Sequence, residues 1–273
     1  MTESQWMFIG GLTVLSFAVF SCQAIWLRKS GVFLLILNSA LFAWWLTNSI
    51  TATVLAVAIW PALPWIEILT RIRRLRLPIE RTFRPLRPPE VEMKPGLEEY
   101  SASLEAEGFE EVEDVGWKED EEQQFFRIFR HDTRQCQAVL SICEQSKVAF
   151  FYVGFTSRTR DGRLWTTWTY PFSYGLRQRP GFVLNRVPGD LDCAEILQRH
   201  EQFLKKNEVK EEDLAPAPEE GLSDTMQNEL RDQIRHNLST GVLKDVGEGR
   251  MRYTWRGMIF LWCQFLRDIV RLS

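Results

Sequence analysis

The sequence has few of the residues from which common catalytic sites are built. Its three histidines, His131, His200 and His236, lie far apart, and its five cysteines, Cys22, Cys136, Cys143, Cys193 and Cys263, include no CxxC pair. No HExxH, P-loop or GxGxxG occurs, so zinc, nucleotide-phosphate and dinucleotide sites lack their usual signatures, and neither a metal nor a cofactor is expected. An odd set of unpaired thiols fits a reducing compartment. Proline and glycine are sparse as well, 12 and 16 in 273 residues. With 12% aromatics, this excludes a collagen-like or wholly disordered chain.

Charge is missing from two long stretches near the start. Met7 to Leu27 has none, and at 1.5 Å per residue such a helix reaches about 32 Å, the thickness of a bilayer's hydrocarbon core. A cleaved signal peptide would begin with basic residues, whereas Met1 to Trp6 holds Glu3 and no Lys or Arg. Ser30 to Trp65 is also uncharged, too long for one upright span and slightly short for two. The Trp44-Trp45 and Trp60/Trp65 pairs read as interfacial belts, which favours a second span near residues 44 to 65. The expectation is two transmembrane helices in 1–65. Three are the alternative, with the Thr47 to Ser49 cluster as a turn.

Beyond Trp65 the chain is dense in arginine: Arg71, Arg73, Arg74, Arg76, Arg81, Arg84 and Arg87 stand against Glu67 and Glu80 alone. Basic residues flanking a span stay on the inner side, which predicts an integral inner-membrane protein with its large domain in the cytoplasm. Ile68, Leu69, Ile72, Leu75 and Leu77 interleave with these arginines, the pattern of a helix on the membrane surface. Anionic headgroups there are worth about 1 kcal/mol per cation. A proline-rich linker then runs to residue 95.

Residues 96–206 read as an α+β cytoplasmic domain, an antiparallel sheet packed with helices. Leu97, Tyr100 and Leu104 share one helical face, and Gly108 stops it. Gln124 to Arg130, Gln137 to Cys143 and Val148 to Thr156 are strand-like, and Asp161-Gly162 turns the chain into a fourth strand, Arg163 to Tyr170. Asp192 with Glu195 caps a helix whose Ile196, Leu197, His200, Phe203 and Leu204 line one side. Charge is split across this domain. Fourteen Asp and Glu between Glu90 and Glu122 precede ten Lys and Arg between Gln123 and Arg186. The two blocks either orient the domain over a membrane or pack together and neutralise each other.

Residues 207–222 form an acidic linker, and 223–273 read as C-terminal helices. In the last of these, Trp255, Ile259, Trp262, Leu266 and Ile269 share a face opposite Arg256, Arg267 and Arg271, as in a helix lying in the membrane plane. Chemistry is sparse. His131, Cys136, Cys143 and His200 are the candidates for a thiolate-imidazole pair, although a cysteine in an alternating strand is more often core. Arginines interleaved with aromatics are also a nucleic-acid pattern, but the acidic domain and membrane tether argue against that partner. GF at 108–109, FFRIFR at 125–130, FTSRTRDG at 155–162 and ILQRHEQFL at 196–204 occur in an order that resembles uncharacterised bacterial membrane-anchored proteins. The resemblance implies a bacterial origin and carries no activity to any residue. The expected function is a non-catalytic interaction module with membrane lipids and a protein of unknown identity as partners. The alternatives are a hydrolase acting on lipid or peptide and an accessory subunit of a larger membrane complex.

Overall fold

The computed structural model describes residues 1–22, 24–89, 94–119, 122–131, 133–145, 148–218 and 220–272. Linker residues 90–93, and Asp120, Glu121 and Asp132 of the charge and motif readings, lie outside them. The chain opens with three helices long and apolar enough to cross a membrane, α1 (Glu3–Phe20), α2 (Ile25–Thr47) and α3 (Ile50–Thr70). Three helices therefore replace the two expected. The uncharged stretch after Ser30 is divided at Asn48, whose left-handed backbone (φ 49°) ends α2, while Ser49 caps α3. Length misled because α2 begins before the uncharged stretch and carries Arg28 and Lys29 in its first turns. Asn38 donates to Thr13 (2.7 Å) and Trp60 to Ser39 (3.0 Å), so polar bonds link the three helices in sequence.

The arginine-rich stretch departs from the expected surface helix. After Thr70 come a single 3₁₀ turn, Ile72–Arg74, and the short strand β1 (Leu77–Pro78). Farther on, β2 (Arg84–Pro85) pairs with the edge of the main sheet, a position that tolerates proline because no inward N–H is required.

Among the described residues the main sheet has eight strands: β2, β3 (Glu110–Glu119), β4 (Glu122–His131), β5 (Cys136–Gln145), β6 (Val148–Thr159), β7 (Leu164–Trp168), β8 (Phe182–Arg186) and β9 (Leu214–Ala215). They pair in chain order from β2 to β8, antiparallel except for β7 with β8, and β9 adds to β6. Alternation assigns the faces. Phe125, Phe129, Ala138, Leu140, Ile142, Val153 and Phe155 point into a core closed by α4 (Lys94–Ala106) and α5 (Cys193–Lys206), which contribute Leu97, Leu104, Ile196 and Leu197. The other face lies under α6 (Leu222–Ser239), where Leu222 and Met226 meet Val115, Phe126 and Ile128.

Two further expectations are corrected. The acidic segment 207–222 is partly structured, because Leu214 enters the core beside Trp165 and Leu204 and draws β9 onto the sheet. The C-terminal part is not helical throughout. Between α6 and α7 (Trp255–Leu272) runs a hairpin, β10 (Leu243–Gly247) and β11 (Arg250–Tyr253), which captures β1 in a three-stranded sheet. α7 approaches this hairpin so closely that a side chain at Gly257 would collide with the Val242 carbonyl.

The acidic and basic blocks meet across β3 and β4. Arg127 grips Asp114 through two bonds (2.9 and 2.8 Å), Arg130 faces Glu110 (3.6 Å), and Arg134 reaches Glu107 and Glu201. The fork geometry of the first pair makes it the strongest of the series, and it holds the Arg127 guanidinium above its ordinary pKa. Arg127, Arg130 and Arg134 of the basic block thus meet carboxylates of the acidic block inside the fold.

Candidate functional site

The residues singled out for thiol chemistry do not assemble into a nucleophile. His131 and Cys136 are cross-strand neighbours, but the Nδ1 of His131 accepts from the backbone N–H groups of Thr133 and Arg134 (3.2 Å each). Cys136 is buried opposite Ser157, and desolvation pushes its thiol up to about 12, so it stays protonated at neutral pH. Cys143 lies seven residues along the same strand, roughly 23 Å from Cys136 at the usual rise, and its thiol is also raised by burial. His200 does converge on Ser157: its Nε2 lies 3.1 Å from Ser157 Oγ and its Nδ1 3.0 Å from Thr167 Oγ1. Burial drives it down to about 4, leaving a neutral imidazole that joins α5 to the sheet. Ser157, Thr167 and His200 are each at most 1% exposed, so the trio braces the core and meets no solvent.

A cavity of about 190 Å³ lies between the second sheet face and α6. Its wall is mixed. Phe126, Val139, Trp168 and Met226 supply apolar surface, while Arg158 crosses the gap to Glu229 (2.6 and 3.0 Å) and donates to Gln137 (2.7 Å). The Nε1 of Trp168, buried in this wall, has no partner among the described residues. Arg158 satisfies its polar neighbours from within the fold, and the ion pair fastens α6 to the sheet.

The surface read as membrane-facing divides into two groups. Arg71 pairs with Glu67 (3.3 Å), Arg74, Arg76, Arg84 and Arg87 are exposed, and Arg73 lies over the ring of Trp255 at 5.5 Å. Arg81 does not belong with them. It is folded into the domain over Trp117, 4.1 Å from the ring centroid, and desolvation there depresses its guanidinium. Arg256 is exposed at the start of α7, and Arg267 and Arg271 lie at its far end.

α7 is the element that ties the domain to the apolar helices. Trp262 stacks on Trp65 of α3 (6.1 Å between centroids), and its Nε1 donates to the Pro61 carbonyl at 2.7 Å. Met258 and Leu261 on its inner side are buried, whereas Trp255, Ile259, Ile269 and Val270 are 59, 51, 45 and 65% exposed. An apolar stripe left open to solvent, continuous with a helix whose own apolar residues are open, marks an interaction surface.

At the C-terminal end of α7 a cleft of about 630 Å³ opens between this helix and the segment from Ser173 to Arg186. Arg177, Arg186, Arg267 and Arg271 line it, with Asp268 as the single carboxylate among the described lining residues. Sequence reasoning found Arg267 and Arg271 but missed Arg177 and Arg186, which belong to the basic block and are brought across by the β7–β8 connection. No family model, curated protein or solved structure matches the chain.

Proposed function

We propose that this protein is an integral membrane protein whose α+β domain is a non-catalytic interaction module held against the cytoplasmic face of the bilayer. The observation that carries this reading is the α3–α7 seam. Trp262 joins Pro61 and Trp65 in the second half of α3, the half that leads into the basic flank, and the open apolar stripe of α7 continues from that point. α7 then lies in the interfacial plane with Met258 and Leu261 towards the domain and Ile259 and Ile269 towards lipid. With three spans, the α1–α2 turn beside Arg28 and Lys29 falls on the same side as Arg71, Arg73, Arg74 and Arg76, so every basic flank is cytoplasmic.

An interaction role fits the domain better than hydrolysis. A thiol nucleophile needs a thiolate beside an imidazole, and Cys136 and His200 have the opposite protonation tendencies in a site closed to solvent. The test is extraction and topology: the full chain is expected to stay in membranes after an alkaline carbonate wash. A tag after Ser273 is expected to be cut by protease in inverted vesicles and protected in right-side-out cells. Release by alkali, or a tag protected in inverted vesicles, would overturn the reading.

A further inference from the structure

The cleft at the end of α7 gathers four arginines around one carboxylate. Asp268 is already satisfied: it accepts from the Ser173 backbone N–H (2.7 Å) and hydroxyl (2.6 Å) and pairs with Arg271 (3.2 Å). Arg271 also donates to the Pro171 carbonyl. That leaves Arg177, Arg186 and Arg267 with no carboxylate within ion-pair distance among the described residues. Arg186 is half-buried and donates to the Ser173 hydroxyl (3.4 Å), and desolvation followed by the nearby charge of Arg271 depresses its guanidinium against the smaller opposing pull of Asp268.

The frame carrying these arginines is rigid. Ser173 is fastened to α7 through Asp268. Four residues on, the Arg177 N–H donates to Asn237 (2.8 Å) and its carbonyl accepts from Asn237 and Gln233, while the Arg179 N–H donates to Gln233 (3.0 Å). Holding the backbone at both ends of the segment places the guanidinium stems before any ligand arrives, which lowers the ordering cost of binding. Guanidinium groups match phosphate oxygens in bidentate fashion.

We propose that this cleft binds the phosphate of an anionic phospholipid headgroup. The phosphate chemistry follows from four arginines gathered around one carboxylate, three of them without an ion pair among the described residues. The lipid source follows from position, since Val270, 65% exposed, lies one helical turn from Arg267 on α7 and borders the cleft side with apolar surface that an acyl chain could cover. The proposal deepens the membrane reading and rests on α7 lying at the bilayer surface. It adds a defined headgroup site to a general basic flank.

The experiment uses the full chain in neutral detergent, with bound lipid counted by native mass spectrometry during titration with dioctanoyl phosphatidic acid. One lipid per chain is expected to bind in preference to dioctanoyl phosphatidylcholine by about tenfold or more, and Arg267→Gln with Arg186→Gln is expected to weaken it by about tenfold or more. Arg267→Gln alone, on an exposed residue with no partner to disturb, is expected to lose about threefold with an unchanged melting temperature. Arg163→Gln, in a distant turn, is expected to bind as the parent does. Equal binding of phosphatidylcholine, or full binding by both cleft variants, would overturn the site. Displacement by inorganic phosphate at the same concentration as the lipid would assign the cleft to a soluble anion and overturn the lipid source. The carbonate wash reports on the anchor independently, so a chain that resists alkali yet binds no phosphatidic acid refutes the cleft alone.

Discussion

Apolar side chains point in opposite directions in the two halves of this molecule. In α1–α3, Trp26 is 83% exposed, Val14 70% and Met7 69%, while in the sheet domain Phe125, Phe129 and Phe155 are fully buried. The side chains are of one kind and the surroundings differ. The helices bond their own backbone and leave apolar side chains outward, whereas the sheet must cover its faces with α4, α5 and α6. α7 has both characters, with Met258 turned inward and Ile259 outward, and so marks where one regime gives way to the other.

Substitutions that invert this contrast test it most sharply. Phe129→Ala empties a fully buried site between the sheet and its helices and is expected to cost about 3–5 kcal/mol, read as a lowered melting temperature of the full chain in detergent. Trp26→Ala, an equally drastic truncation on the outward face of α2, is expected to leave the domain's melting unchanged. A comparable loss at both positions would erase the distinction.

The buried imidazole extends the comparison to pH. His200 titrates near 6.5 when unfolded and is held to about 4 when folded, so the unfolded chain takes up the proton first. Its contribution is complete above pH 6.5 and declines as pH falls towards 4, by about 3 kcal/mol in all. Melting curves at pH 7, 5.5 and 4.5 are expected to show a shallower decline for His200→Gln than for the parent, and parallel slopes would refute the assignment. A charge introduced on the outward side of α3 tests the other half. Val54, 59% exposed, replaced by Arg is expected to disfavour membrane insertion by about 2.5–3.5 kcal/mol, measured as the fraction of chain resisting carbonate. Insertion equal to the parent's would count against α3 as a span. The smallest effect belongs to the seam: Trp262→Phe keeps the stacked ring on Trp65 and loses the bond to Pro61, for about 0.5–1.5 kcal/mol by thermal melting.

Several elements were legible because their residues repeat at the period of the structure. Gln124 to Arg130 lies within β4, Gln137 to Cys143 within β5 and Val148 to Thr156 within β6, and the capping box of Asp192 and Glu195 opens α5. β3 was read as part of an acidic run. Its glutamates mask the strand pattern because their partners, Arg127 and Arg130, are supplied by the neighbouring strand. β10 and β11 are short, and Gly247 and Gly249, both with positive φ, sit at the turn between them, so the stretch shows no clear alternation. At the basic cleft, half of the pattern was readable. Arg267 and Arg271 follow helical spacing, but Arg177 and Arg186 arrive from more than 80 residues earlier in the chain.

Local composition alone determined that the first 70 residues carry long apolar helices, that a basic flank succeeds them, and that a mixed helix-and-strand domain comes after. These depend on consecutive side chains and on periods of two and 3.6 residues, which any window of sequence exposes. Only the tertiary structure decided that the long apolar helices among the described residues number three, that Arg81 turns inward, that Arg127, Arg130 and Arg134 pair with the acidic block, and that four arginines meet at the end of α7. Each of those outcomes depends on pairings between distant segments, whose free energy comes from burial and charge compensation created when the chain closes on itself.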